Sequence, residues 1–167
     1  MHSAHFLPTD TLISHLDGVF AQLRNPFIES RYTGLLAVSA VTGLEAAVKQ
    51  VFLDFAVTKH VVLGNYVESR FEKLNGRITY KDLKDTYVRP FGEKYLKRFA
   101  RRVESREKEI LAKWHTSMLN GYSNLITWRH GFVHGGQIPQ NATYAEVKQN
   151  YELGKEVLVC LSASMRR

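Results

Sequence analysis

A single cysteine, Cys160, in 167 residues excludes an internal disulfide and a thiolate metal cluster within one chain. Long apolar runs are equally scarce. No stretch free of charge approaches the ~20 residues a membrane span needs. The most apolar segment, residues 34–57, is interrupted by Glu45, Lys49 and Asp54 at helical spacing. The N-terminus lacks a basic region followed by an apolar one, so no secretory leader is expected. Segments with a two-residue apolar alternation are missing, as are repeats, low-complexity tracts and linkers. Acid is in deficit too. Asp and Glu number 16 against 23 Lys and Arg, giving a net charge of +7. That balance suits polyanions, either nucleic acid or an acidic membrane surface. Together these features predict one cytoplasmic domain over residues 1–167.

What remains is helical. Thr9 or Asp10 suits the cap of a first helix, with Leu12, Ile13, Leu16, Val19, Phe20 and Leu23 on one side. Asn25-Pro26 ends it, because the residue before proline disfavours the helical region. Ser30 suits the cap of a second helix, whose apolar stripe runs from Tyr32 to Phe55. The pattern weakens near Val61-Val62-Leu63-Gly64, resumes through Leu74, and meets a turn at Asn75-Gly76. Thr79 and Asp82 start a short helix that Pro90 and Gly92 close. A long helical region from Glu93 to Trp128 follows, with a break expected near Ser105 and Trp114 and Trp128 expected in the core. A loop spans Gly135 to Ala142, and Thr143 to Glu146 has the form of a capping box opening the last helix. The class is all-α.

Chemistry concentrates in Arg129-His130-Gly131-Phe132-Val133-His134, with Gly135-Gly136 behind it. A guanidinium can grip phosphate oxygens through its fork. Imidazole is the side chain that accepts and returns protons near neutrality. In a straight helix, however, Arg129 and His134 stand about 140° apart and share no face. Either the helix distorts at Gly131 or ends at Gly135, or two copies of the segment face each other across a two-fold axis. His130 and His134 do share a face, a spacing also found in zinc sites. Gly131 stands where a zinc-protease motif has Glu, and no cysteine or carboxylate cluster supplies a third ligand, so no metal or other cofactor is expected. The plainer alternative is a buried Arg–carboxylate pair with a histidine packed on Trp128 or Phe132.

These residues resemble the R-x4-6-H motif of the HEPN superfamily, most closely its small stand-alone proteins of bacterial toxin and defence systems. Ser30-Arg31-Tyr32 with Leu44-Glu45-Ala46-Ala47, Ile78 to Leu83, Phe91-Gly92 and Trp128 to Gly136 carry the resemblance. It covers the chain from about residue 10 onward. The resemblance implies an antiparallel four-helix-type bundle with additional short helices, and a homodimer with the motif at its interface. It implies a metal-independent endoribonuclease leaving 2′,3′-cyclic phosphate ends, in a toxin or antiviral effector. By position, Arg129 contacts the scissile phosphate, His134 is the catalytic histidine and His130 fills the polar position after the arginine. An antitoxin or regulatory protein is an implied partner. One subgroup has a tyrosine two residues after the histidine that its antitoxin modifies; here that residue is Gly136. Other members are non-catalytic modules that dimerise and bind a protein or nucleotide.

Two further features stand outside the motif. Lys94, Lys97, Arg98, Arg101 and Arg102 fall on one helix face opposite Tyr95, Leu96, Phe99 and Val103. They are either an RNA-tracking surface or a solvated face. Glu45, on an otherwise apolar stripe, either pairs with Lys49 or reaches Arg129 or His130 to orient it.

Overall fold

Asn25-Pro26 opens a helix as well as closing one. In the computed structural model, which describes residues 3–22, 25–72, 74, 78–136 and 142–166, the Asn25 side chain accepts from the Phe27 and Ile28 N–H groups. Pro26 occupies the first helical turn. An Asn cap followed by Pro is a strong start, since proline fixes a helical φ and lacks a donor the first turn cannot use. The second helix therefore begins before the expected Ser30. Leu23 and Asn75-Gly76 lie outside the described residues.

The helices are α1 (Leu7–Gln22), α2 (Pro26–Val57), α3 (Val61–Phe71), α4 (Tyr80–Asp82), α5 (Glu93–Trp114), α6 (Met118–Gly135) and α7 (Tyr144–Met165). A 3-10 turn at Ser3–His5 precedes them, and π and 3-10 turns at Leu83–Val88 and Arg89–Phe91 join α4 to α5. No strand occurs among the described residues, and the fold is all-α. Neither expected cap, Thr9 or Asp10, is made, since both lie within the first turn of α1 and the Asp10 N–H already donates to the Phe6 carbonyl. Thr9 is buried, with its hydroxyl 2.9 Å from that of Ser39. The predicted break near Ser105 falls instead at His115, whose φ of 53° turns the chain left-handed. Ser117 then accepts from the Asn120 N–H to start α6. The capping boxes at Thr79–Asp82 and Thr143–Glu146 form as the residue types require.

Buried apolar side chains from Leu16 to Met165 make one cluster among α2, α5, α6 and α7, with α1 and α3 against α2. Register follows from single contacts. Gly34 of α2 lies under the Phe132 ring of α6, and Gly154 of α7 packs against Leu44 and Tyr122. α2 and α6 are thus antiparallel, and α7 runs alongside α2. Arg98 donates to the Ser164 and Arg166 carbonyls, and Arg106 pairs with Glu156, so α5 is antiparallel to α7. Three zones result: a motif end near Tyr144, a middle, and an opposite end near Ser164.

α2 corrects one expectation. By length and composition it is apolar enough to cross a membrane, with a mean hydropathy of 1.4, yet 56% of that window is buried in the bundle. Trp128 is core, as expected. Trp114 is not: α5 runs past the start of α6, where the Leu119 N–H meets Glu107, and leaves Trp114 49% exposed.

Candidate functional site

The motif sits on the last turns of α6, which run without interruption through Gly131 to Gly135. Gly136 ends the helix at φ 64°, its N–H donating to the Phe132 carbonyl at 2.9 Å. A side chain there would meet the steric cost of the left-handed region. The helix therefore does not bend to bring Arg129 and His134 together.

Phe132 fixes the orientation. Its ring lies where a Cβ on Gly34 would stand, only 2.2 Å from two ring carbons. Measured around the helix from Phe132, Arg129 stands about 60° away, and His130 and His134 about 160–200° away. The two imidazoles accordingly point out of the bundle. Both are exposed, and their ring centroids are 4.4 Å apart. Arg129 lies along the edge of the packed face. Its Nε is buried and makes no hydrogen bond, and no carboxylate among the described residues pairs with it. A half-buried guanidinium with no carboxylate partner suits an anion at its terminal nitrogens. No third His, Cys, Asp or Glu joins His130 and His134 among the described residues.

Sequence reasoning overlooked a second cation at this end. Arg31 of α2 reaches across to α6 and donates from one terminal guanidinium nitrogen to the Gly136 carbonyl at 3.3 Å. Its guanidinium carbon lies 5.2 Å from the centroid of Phe27. The negative end of the α6 dipole favours a cation there, and the contact leaves most of the fork free. The signal was present in Ser30-Arg31-Tyr32, but the partner is 105 positions away.

Glu45 and the basic helix are placed elsewhere. Glu45 is half-buried on α2 near Tyr122, seven residues before Arg129 on α6. Burial, then the charges of Glu45 and Asp82, push the Tyr122 hydroxyl well above the phenol range. That hydroxyl donates to the Ile78 carbonyl. Lys49, the other proposed partner of Glu45, directs its Nζ to the Glu72 carbonyl at 3.4 Å. Lys94, Arg98, Arg101 and Arg102 line a groove of about 580 Å³ with Ser105, and Lys97 is exposed beside it. They lie at the opposite end of the bundle. Tyr144, at the motif end, and Ser164, bonded by Arg98, are separated by about 30 Å of α7. The groove therefore does not adjoin the motif within one chain. Cys160 is buried, its thiol pushed up to about 11 chiefly by burial, so it is no nucleophile at neutral pH.

No curated protein and no solved structure matches the chain. Residues 9–165, which include the whole of this site, match the RiboL-PSP-HEPN family, and the protein belongs to that family of the HEPN superfamily.

Proposed function

We propose that the protein is a metal-independent endoribonuclease whose site is built from the α6 ends of two copies of the chain. The observation that carries this reading is the outward pair His130–His134, in ring contact at 4.4 Å, with the unpaired Arg129 around the side of the same helix. Cleavage by the 2′-hydroxyl needs a base at the attacking oxygen and an acid at the leaving 5′-oxygen, on opposite sides of phosphorus. Two imidazoles that touch each other leave no room for phosphorus between them. Arg129, some 140° from His134, does not reach the same phosphate on the same face.

A second copy resolves both difficulties. Neutral His134 of one copy takes the proton from the 2′-hydroxyl. Arg129 of the other neutralises the charge building on the phosphorane oxygens. His130 of that second copy protonates the 5′-oxygen as it leaves. The products are a 2′,3′-cyclic phosphate and a 5′-hydroxyl. Arg31, anchored at the helix end, offers a further grip on the neighbouring phosphate. A role as a cytoplasmic toxin or defence effector, neutralised by an antitoxin or regulatory protein, is consistent with this chemistry.

The test is incubation of the purified protein with total RNA in EDTA, beside His134→Ala of confirmed fold. Cleavage by the wild type alone, with cyclic phosphate ends, is the expected outcome. Cleavage that stops in EDTA, or acts on DNA, overturns the mechanism. Silence of both proteins, together with no growth arrest on expression, leaves a non-catalytic binding module as the function.

A further inference from the structure

The basic groove on α5 has an electrostatic arrangement that works against folding. Lys94 and Arg98, Lys97 and Arg101, and Arg98 and Arg102 are like charges four residues apart, a spacing that destabilises a helix. Lys94 also lies in the first turn of α5, the positive end of its dipole. No carboxylate among the described residues forms an ion pair with any of the five. The rest of the same helix behaves differently. Lys108 pairs with Glu104, and Arg106 with Glu109 and Glu156. Lys113, which also lacks a carboxylate partner among the described residues, stands apart in the last turn on the Trp114 ring. The uncompensated cations are thus concentrated in the first half of the helix, and that half borders a concave surface rather than a flat one. Arg98 is further immobilised by the Ser164 and Arg166 carbonyls, which neutralise none of its charge.

From this we infer that the groove is a second nucleic-acid site, which holds a single RNA strand by its backbone roughly 20–30 Å from the motif of the same chain. From Lys94 to Arg102 the cations cover about 12 Å of helix. That length faces only a few consecutive phosphates of a single strand. Its lining is cationic and includes no aromatic side chain on which a base could stack, so it grips chiefly through the backbone and sets how much RNA beyond the cut is held. The ribonuclease reading supplies the identity of this polyanion, but the site does not require that the motif be catalytic.

The experiment is fluorescence anisotropy of a labelled 40-nucleotide RNA of mixed sequence, 2′-O-methylated so that it cannot be cut, titrated with the full chain across a salt series. The proteins are the wild type, R101Q/R102Q and R101K/R102K. Removing two charges is expected to lower the slope of log K against log salt by about 1.4 and to weaken binding at least about tenfold. The lysine pair keeps the slope, because the contact is with charge. Circular dichroism confirms the fold of both variants, whose changes lie on exposed positions. An unchanged slope in R101Q/R102Q overturns the site, whether or not the wild type cleaves RNA. Loss of binding to phosphatidylserine vesicles in that variant, with RNA binding intact, assigns the groove to a lipid surface and overturns it equally. Absence of cleavage by a wild type whose RNA binding still depends on Arg101 and Arg102 supports the groove and sinks the nuclease instead.

Discussion

At the residue scale, the orientation of the motif depends on a hydrogen atom. Gly34 presents no side chain to α6, and Phe132 fills the space, so His130 and His134 are turned outward by a contact on the opposite side of their helix. Alanine at position 34 favours the helix by about 1 kcal/mol. Its methyl carbon, though, would stand 2.2 Å from the Phe132 ring, and such overpacking costs about 1–3 kcal/mol. Gly34→Ala is therefore expected to lower stability and to reduce cleavage more than stability alone explains, because the ring must move and α6 turns with it. Phe132→Leu in the same chain should recover much of both losses. Denaturant unfolding of the four members of this cycle checks it; strictly additive effects would show that the two positions do not share the space. The sequence made Phe132 and Gly34 visible as residues but not as a pair. Arg31 was hidden for the same reason, since a pairing over a hundred positions leaves no local pattern. Arg129 and His134, by contrast, were legible as residue types at a spacing, and the untouched Nε of Arg129 is a property that only the packing reveals.

Elements were legible where capping chemistry is local. Thr143 and Glu146 satisfy each other's neighbouring donors, and α7 starts where the residues say it should. Boundaries were missed where one signal serves two elements, as at Asn25-Pro26, or where backbone strain carries the turn, as at His115. The start of α7 also anchors α1. Asp17 accepts from Lys148 at 2.7 Å and from the Tyr144 hydroxyl at 2.9 Å, and these bonds, Lys148 first, hold its carboxyl below the usual range. Bonds from the Thr143 N–H and hydroxyl likewise depress Glu146. Carboxyls depressed in the folded state stabilise it above their unfolded pKa values, about 3.9 for Asp and 4.3 for Glu, and lose that contribution as pH falls through the folded values. The junction of α1 with the start of α7 should therefore loosen before the α2–α6 core as pH falls below about 4. Hydrogen exchange at Ile13–Val19 and Val147–Tyr151 reads this directly. Asp17→Asn should remove most of the pH dependence at α1. Uniform acid exposure of α1 and the α2–α6 core would count against the assignment.

For the whole molecule, the bundle separates its two cationic regions, with the motif and Arg31 at one end and the α5 groove at the other. An all-helical fold was legible from periodicity alone, but helix order along the bundle was not, and that order decides which charges are neighbours. The same geometry makes a demanding prediction about the number of chains in a site. If His134 of one copy works with Arg129 and His130 of the other, each single variant is inactive alone. When Arg129→Ala and His134→Ala proteins are mixed and exchange subunits, about half of the dimers are mixed. In each mixed dimer one site joins the intact His134 of the first variant to the intact Arg129 and His130 of the second, and the other site lacks both. Activity should therefore return to about a quarter of the wild-type value per chain. A site confined to one chain gives no recovery at any mixing ratio. Recovery that fails while cross-linking shows mixed dimers would place Arg129 and His134 in the same copy, and would require α6 to unwind near Gly131 when RNA binds.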